Sequence, residues 1–238
     1  MPDSTFLCLA VARRAGGNCI AGIDIDSGKW IRPVNPKTHG AFADYETIAV
    51  DAITQEPRML EPLDLFQIHL ARFAGNNVQP ENWEMSPAPY DPAFRVIRRF
   101  VHPQDANVLL RSLQVSGPLL HTHGDRIRAD DPSLKRGLSH SLSLIRPEHL
   151  HWRVAPHPTY PNRLRIQAEF RFDGAPYCLV VTDPLWESQC RRIGSGRHPH
   201  TAIAGNRNGG VLLTISLAEV PLHGHHYKLA AGVFSLPA

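Results

Sequence analysis

The stretch FLCLAVARRAGGNCIAGIDIDSGKWIRPVNP, residues 6–36, indicates how the chain is built. Residues 6–12 form an uninterrupted apolar run, as expected for a strand that is buried on both faces. A turn with two glycines follows, and residues 19–26 form a second strand. Ser27 and Gly28 then make a tight connection into a third strand over residues 30–34. The opening therefore predicts three short strands joined by tight turns.

The end of the chain repeats this arrangement. Residues 211–234 read VLLTISLAEVPLHGHHYKLAAGVF, with an apolar run, a glycine-bearing polar turn and a second run that ends in Ala-Gly and an aliphatic residue. A small β-unit used at both ends indicates two related β-domains.

Between the two ends, strand patterns outnumber helical ones. Further strands are predicted over residues 47–52, 63–73, 164–172 and 177–182. Residues 164–172 alternate strictly, with apolar side chains at even positions and Arg163, Arg165, Gln167, Glu169 and Arg171 at odd positions. Many short strands with one or two helices predict a mainly β protein made of barrel-like domains.

Two helices and one long loop complete the assignment. Residues 103–115 have leucines on one side and are followed by Gly117 and Pro118. A second helix is predicted over residues 184–192, with Asp183 as its N-cap and Pro184 in its first turn. Residues 193–210, rich in Gly, Asn and Arg, are predicted to form a long loop, and loops of that length usually carry function or disorder.

The domain boundaries follow from composition. Residues 1–91 contain 7 basic and 12 acidic residues, whereas residues 92–238 contain 18 basic and 10 acidic ones. We expect an N-terminal β-domain over residues 1–102, a helical connector over 103–117 and a C-terminal β-domain over 118–238. The basic C-terminal half favours an anionic partner.

Composition also limits the class of protein. With 42% hydrophobic and 20% charged residues, the chain is typical of a globular domain, and no run of 18 apolar residues predicts a membrane span. The acidic N-terminus is unlike a secretory signal, so a cytoplasmic protein without membrane contact is expected. The four cysteines lack a CxxC pair, which favours reduced thiols.

Several stretches, taken in order, resemble the dual OB-containing domain family. The opening LCLAVARRAGGNCIAGIDIDSGKWIRPV is similar to the start of that family. The resemblance continues through LDLFQIHL, QPENW, SLSLIRP, AEFRFDGAPYCLVVTDPLWE and LLTISLAEVPLHGHHYKLAAGVF, which lie at residues 63–70, 79–83, 141–147, 168–187 and 212–234. It implies two OB-like β-barrels in tandem, and a protein that binds nucleic acid, often beside bacterial conflict systems.

Candidate contact residues are arginines near glycines, and one tryptophan. Arg13 and Arg14 adjoin a glycine turn whose backbone N–H groups favour phosphate, and Trp30 and Arg32 share one face of the next strand. A second group of arginines flanks and populates the glycine-rich loop. The predicted nucleic-acid contacts are Arg13, Arg14, Trp30, Arg32, Arg191, Arg192, Arg197 and Arg207.

Other chemistry is weaker in the sequence. The run HTHGD at residues 121–125 is similar to a metallohydrolase motif, but Arg126 stands where that motif needs histidine. The histidine groups HPH and HGHH lack a spaced cysteine or carboxylate partner. Asp183 and Glu187 form a carboxylate pair that a helix cap explains equally well. No metal, cofactor or catalytic residue is therefore predicted.

The leading hypothesis is a non-enzymatic module that binds nucleic acid or a nucleotide-like ligand, with single strands favoured. A metal-dependent hydrolase acting on nucleotides or nucleic acid is the alternative. A third hypothesis is an adaptor with a protein partner in a larger defence or repair complex.

Overall fold

The computed structural model describes residues 3–14, 17–38, 40–51, 54–86, 94–99, 112–204 and 210–235. The chain divides into two compact units. Unit 1 comprises Met1–Ser112 and Ser133–Ser141, and unit 2 comprises Leu113–Pro132 and Leu142–Ala238. Both units consist mainly of β-strands, which confirms the predicted fold class.

The described residues of unit 1 form eight strands. They are β1 (Asp3–Arg14), β2 (Gly17–Asp24), β3 (Trp30–Val34), β4 (Ile48–Asp51), β5 (Pro57–Met59), β6 (Asp64–Phe73), β7 (Asn82–Met85) and β8 (Phe94–Arg99). The strand order is β1-β2-β3-β7-β6-β8-β4-β5, and β1 also pairs with β6. Five strands, β1, β2, β3, β7 and β6, therefore close on themselves, and a closed five-stranded ring is the basis of an OB barrel.

Aromatic side chains fill the interior of this ring. Phe66 lies between Phe6 and Phe94, with ring centroids 4.9 and 5.2 Å away. Gly22 in β2 allows β1 to approach closely, because a Cβ there would meet the Leu7 carbonyl oxygen at 2.0 Å. The buried opening run predicted from the sequence is thus the first strand of the barrel.

The described residues of unit 2 contain eight further strands and two α-helices. The strands are β9 (Arg126–Arg128), β10 (Leu142–Ile145), β11 (Glu148–Pro156), β12 (Leu164–Phe172), β13 (Ala175–Val181), β14 (Gly196–Pro199), β15 (Val211–Leu217) and β16 (His225–Ser235). A short helix, α1 (Pro132–Arg136), lies mostly in unit 1, which contains its residues 133–136, whereas α2 (Pro184–Ile193) and α3 (His200–Ala204) lie in unit 2. The sheet order is β10-β15-β16-β13-β12-β11-β14, and β9 pairs with β16.

The alternation predicted for β12 is present. Its even-numbered side chains from 166 to 172 are buried, and the odd-numbered ones remain half-buried or exposed. Asp173 and Gly174 both have positive φ, 49° and 74°, as a tight hairpin turn between β12 and β13 requires.

Helix α2 begins as the sequence predicts. One carboxylate oxygen of Asp183 accepts hydrogen bonds from the N–H groups of Leu185 and Trp186, both at 3.0 Å. The other oxygen accepts from the Val233 N–H, also at 3.0 Å. Trp186 then packs on Trp152 of β11, which joins the helix to the inner face of the sheet.

Two predicted segments differ from the structure. Residues 193–210 are not one loop, because Gly196–Pro199 pairs with β11 and His200–Ala204 is helical, while residues 205–209 lie outside the described residues. Of the predicted helix over 103–115, residues 103–111 lie outside the described part, and Leu113 forms a bridge with Leu144 instead of a helical turn. Both segments contain residues that pair with strands distant in sequence. Local composition carries no information about such pairing.

Two further observations concern the chain as a whole. All four cysteines are thiols, and Cys8 and Cys190 are buried among apolar side chains. Within the described ranges, no helix is both long and apolar enough to cross a membrane.

Candidate nucleic-acid interface

The outer face of four neighbouring strands in unit 2 carries a group of arginines. The strands β14, β11, β12 and β13 lie side by side. Alternation turns Trp152, Val154 and Ile166 inward and places their neighbours on the other face. The four strands contain four arginines, at positions 153, 165, 171 and 197, against two glutamates, at 148 and 169. This outer face is called the arginine face below.

The register brings two of these arginines opposite each other. Arg153 of β11 is the Cα partner of Arg197 of β14 on one side and of Gln167 of β12 on the other. Like charges directly opposite in a sheet destabilise it by about 0.2–1 kcal/mol. The register therefore places two like charges opposite each other, of which that of Arg197 is paired with Glu169.

The two glutamates compensate only part of this charge. Glu169 accepts a hydrogen bond from Nε of Arg197 at 2.7 Å, and Glu148 lies opposite Arg171 at the strand end. Among the residues that the structure describes, no carboxylate lies within ion-pair distance of Arg153 or Arg165. The centre of the arginine face is consequently positive.

An open pocket of about 440 Å³ adjoins one end of this face. Its lining includes His149, His151, Arg171, Tyr177 and Arg197. A bulge between Glu148 and His151 in β11 brings His149 and His151 to the same edge, and Nδ1 of His151 bonds the His149 carbonyl oxygen at 2.9 Å. The pocket thus combines two guanidinium groups with two imidazoles.

Cys178 also lines the pocket but is a poor nucleophile. Burial raises the pKa of its thiol, and the negative charge of Glu169 raises it further. The nearby Arg153 and Arg165 oppose this rise without cancelling it. Because the thiolate is the reactive form, Cys178 remains a thiol at neutral pH, and covalent chemistry through it is disfavoured.

The structure places the predicted C-terminal contacts in two locations. Arg197 lies on the arginine face. Arg191 and Arg192 are exposed in the last turn of α2, where the helix dipole stabilises positive charge. Arg191 also donates a hydrogen bond to Glu187 at 3.5 Å. Arg207 lies outside the described residues.

The predicted contacts of unit 1 are not gathered at one site. Arg13 is exposed, Arg14 is half-buried, and they pair with Asn18 and Gly17 at one end of β2. Trp30 is half-buried and pairs with Ile23. Ile23 lies five residues from Asn18 along β2, which corresponds to about 17 Å in a strand.

Arg32 is a correction to the sequence interpretation, because its side chain is only 4% exposed. Its Nη2 donates to the Ser141 hydroxyl at 3.2 Å, and that hydroxyl donates to Glu81 at 2.8 Å. A second Glu81 oxygen accepts from the Ser141 N–H at 2.5 Å. A buried side chain cannot contact a nucleic-acid strand, so Arg32 has an internal structural role.

These three residues come from three of the quoted stretches, WIRP, QPENW and SLSLIRP. All three belong to unit 1, and together they fix residue 141 against the barrel. The stretches that are widely separated in sequence therefore meet in one buried polar network, named the Arg32 network below.

The HTHGD run proves to be a support for a buried lysine. Lys228 is 1% exposed, and its Nζ donates to the carbonyl oxygens of Thr122 at 2.5 Å and Gly124 at 3.0 Å. Its backbone N–H donates to the carbonyl oxygen of Asp125 at 2.8 Å. Burial lowers the pKa of Lys228 to about 8, although Asp125 acts in the opposite direction.

The other metal and catalytic candidates have local partners. His198 bonds the Gly194 carbonyl oxygen, His225 that of His223, and His226 that of Ala218. Burial raises the pKa of Asp183 to about 6 despite its three backbone N–H donors. Within the part of the chain that is described, no three metal-ligating side chains are grouped.

The residues that the sequence interpretation missed are Arg153, Arg165 and Arg171. A signal for two of them was present, because Arg165 and Arg171 occupy odd positions in the alternating stretch 164–172. No local pattern distinguishes Arg153, because its position opposite Arg197 depends on the pairing of β11 with β14.

The family comparison agrees with this geometry. The dual OB-containing domain model matches residues 4–233. The chain belongs to this family. The match spans both units, and the resemblance of the separate stretches is thereby confirmed. No curated protein and no solved structure shows significant similarity to the chain.

Membership of the dual OB-containing domain family explains the pairing of two β-units in one chain. OB barrels commonly bind oligonucleotides or oligosaccharides on one sheet face and its flanking loops. Fold alone does not decide between these ligands, and the chemistry of the binding face does.

Proposed function

We propose that the protein is a binding module for nucleic acid, and that the arginine face of unit 2 contacts the phosphate backbone. The observation that carries this proposal is the register of Arg153 against Arg197, with Arg165 on the adjoining strand. A repulsion of this kind costs stability, and such local costs are typical of functional sites.

The chemistry of the side chains supports phosphate as the ligand. The guanidinium group is planar and offers paired N–H donors that match phosphate oxygens. Arg153 is exposed and Arg165 half-exposed, so both are accessible to a ligand that lies across the strands. A row of such groups on a fixed sheet favours an extended polyanion over a single small anion.

Single strands are the proposed form of the nucleic acid. Successive outward positions on β12 are about 6.6 Å apart, so that Arg163, Arg165 and Arg171 extend over about 26 Å. A flexible strand can follow such a row across a twisted sheet, and OB folds contact about 4–16 nucleotides. A role in bacterial defence and a further protein partner are implied by the family resemblance and stay predictions.

The hydrolase alternative is not carried forward. Asp183 caps α2 with both carboxylate oxygens, and Glu187 bonds Arg191. These contacts give each carboxylate of that alternative a structural role.

The test is a polarisation titration of a labelled single-stranded oligonucleotide at several salt concentrations. We expect salt-sensitive binding, and we expect the double variant R153Q/R165Q to weaken it. Each lost phosphate contact reduces the slope of log K against log salt by about 0.7 for a single strand, so the slope should fall by about 1.4.

The control is R126Q/R128Q, which removes the same charge from β9. Arg128 already bonds Asp130 at 2.7 Å, and Arg126 contacts Tyr227. The proposal requires the control to retain the wild-type slope. Binding that is insensitive to salt, or an equal loss in both double variants, would contradict it.

A further inference from the structure

The hairpin between β11 and β12 presents an exposed aromatic ring at the end of the arginine face. Tyr160 is 56% exposed. Within the described residues, the only other large aromatic side chain as exposed is Phe73 of unit 1, at 54%. An exposed aromatic ring beside a row of cations is the combination that single-strand binding uses.

The hairpin holds its conformation through several hydrogen bonds. The His157 N–H donates to the Arg163 carbonyl oxygen at 2.7 Å, and the Arg163 N–H donates to the Tyr160 carbonyl oxygen at 2.8 Å. Nδ1 of His157 accepts from the N–H groups of Thr159 and Tyr160 at 3.2 and 3.3 Å. A ligand would therefore meet a preorganised loop, which reduces the entropy cost of binding.

Two side chains of the hairpin also fix the tyrosine ring. The guanidinium carbon of Arg163 lies 5.4 Å from the ring centroid, within the range of a cation–π interaction. The His157 ring centroid lies 5.2 Å away, with the two planes at 39°. The ring is thus held in place by these neighbours while more than half of the residue stays exposed.

The same residues continue the arginine face. Ala155 is the register partner of Arg165, and the bond from His157 to Arg163 extends that ladder by two residues. Because outward positions recur every second residue, Arg163, which directly precedes β12, continues the outer side of that strand beyond Arg165. Tyr160 therefore lies at the end of the row of arginines.

We infer that Tyr160 is a stacking site for an unpaired nucleobase, at the end of the phosphate-binding row. This inference rests on the proposed function and deepens it, because it specifies single strands with exposed bases. The bases of a duplex are stacked on one another and do not offer a free face to the ring. Arg163 would contact the phosphate next to the stacked base.

The test compares Y160A with F73A, a control that removes an equally exposed aromatic ring from unit 1. The probes are labelled oligothymidine of about 12 nucleotides, an abasic strand of the same length and a duplex that contains the same sequence. For Y160A we expect affinity for oligothymidine to fall on the order of 5- to 150-fold, since stacking contributes about 1–3 kcal/mol per base. Its affinity for the abasic strand and its salt slope should stay at the wild-type values.

Two conservative variants separate stacking from other effects. Y160F should keep the affinity, and Y160W should keep or increase it, because both retain an aromatic face. F73A should bind all probes as the wild type does. Circular dichroism of each variant verifies that the fold is retained.

The outcomes distinguish the two proposals. If the wild type binds both single strands with salt sensitivity but Y160A behaves like the wild type, the stacking site is overturned and the proposed function stands. If the wild type binds neither strand, the proposed function fails. Equal losses in F73A and Y160A, or a duplex bound as tightly as oligothymidine, also overturn the stacking site.

Discussion

Arg32 of unit 1 and Arg153 of unit 2 both lie within β-strands, but their surroundings are opposite. Arg32 points inward, is 4% exposed and bonds a serine that is itself bonded to a buried carboxylate. Arg153 is exposed and lies opposite another arginine. The difference teaches that one residue type can take part in a buried network at one position and, under the proposed function, serve binding at another.

The difference lies between buried and exposed positions and not between the two units. Unit 2 also buries a cation, Lys228, but surrounds its Nζ with backbone carbonyl oxygens in place of a carboxylate network. Carbonyl dipoles compensate a charge less completely than a carboxylate does. Burial lowers the pKa of Lys228 to about 8, and the charge of Asp125 opposes this change only in part.

The largest expected effect is a loss of stability on replacing the buried Arg32. Replacing Arg32 by methionine removes the guanidinium that bonds Ser141, so the network around the buried Glu81 carboxylate loses its positive charge. We expect R32M to lower the free energy of unfolding by about 3–5 kcal/mol, the range for breaking a buried charged network. Urea denaturation followed by circular dichroism measures this change.

The matched control is R72M in the same unit. Arg72 forms an ion pair with Glu84 at 2.6 Å, but it is exposed, and exposed pairs contribute at most about 1 kcal/mol. If R32M is no more destabilising than R72M, the Arg32 network is not the stabilising element described above.

The second prediction concerns the pH dependence of Lys228. Its pKa falls from 10.5 to about 8 on folding, so between these values the unfolded chain binds more protons than the folded one. The stability that this group contributes therefore rises with pH from about 8 to 10.5. One pKa unit corresponds to about 1.4 kcal/mol, so the gain is up to about 3 kcal/mol.

The measurement subtracts the unfolding free energy of K228M from that of the wild type at each pH. The subtraction removes the titration of other groups, which both proteins share. We expect the difference to rise on going from pH 7.5 to pH 10. A difference that is flat or falls would mean that the carbonyl oxygens hold Lys228 fully charged.

Local signals explain what the sequence could predict. The alternation in 164–172, the Asp173-Gly174 turn and the Asp183 cap depend on neighbours within a few residues, and all three are present. The mainly β fold class follows from adding up such signals. The resemblance of the quoted stretches to the dual OB-containing domain family predicted two barrels in one chain, and the family match confirms this resemblance.

Long-range partners explain what the sequence could not predict. The sequence predicts Arg32 to be a surface residue, because its partner Ser141 lies 109 positions away and no local pattern reveals their contact. Strand β14 is only four residues long, and only its pairing with β11 reveals it as a strand. The Arg153–Arg197 register depends on that same pairing. Local sequence patterns therefore could not predict the centre of the candidate site.

The smallest expected effect is a gain in stability, in contrast to the loss expected for R32M. Replacing Arg153 by glutamine removes the repulsion with Arg197 and keeps a long polar side chain on β11. We expect R153Q to raise the free energy of unfolding by about 0.2–1 kcal/mol, the scale of one cross-strand pair. The same variant should weaken binding of a single-stranded oligonucleotide.

This pairing of a gain in stability with a loss in binding is the sharpest test of the comparison, because an ordinary structural residue would lose stability. R165Q is the control: its register partner is Ala155, so removing its charge should leave stability within about 0.5 kcal/mol. A loss of stability in R153Q would mean that Arg153 serves the fold, as Arg32 does. Because the repulsion is screened by salt, the gain should shrink as ionic strength rises.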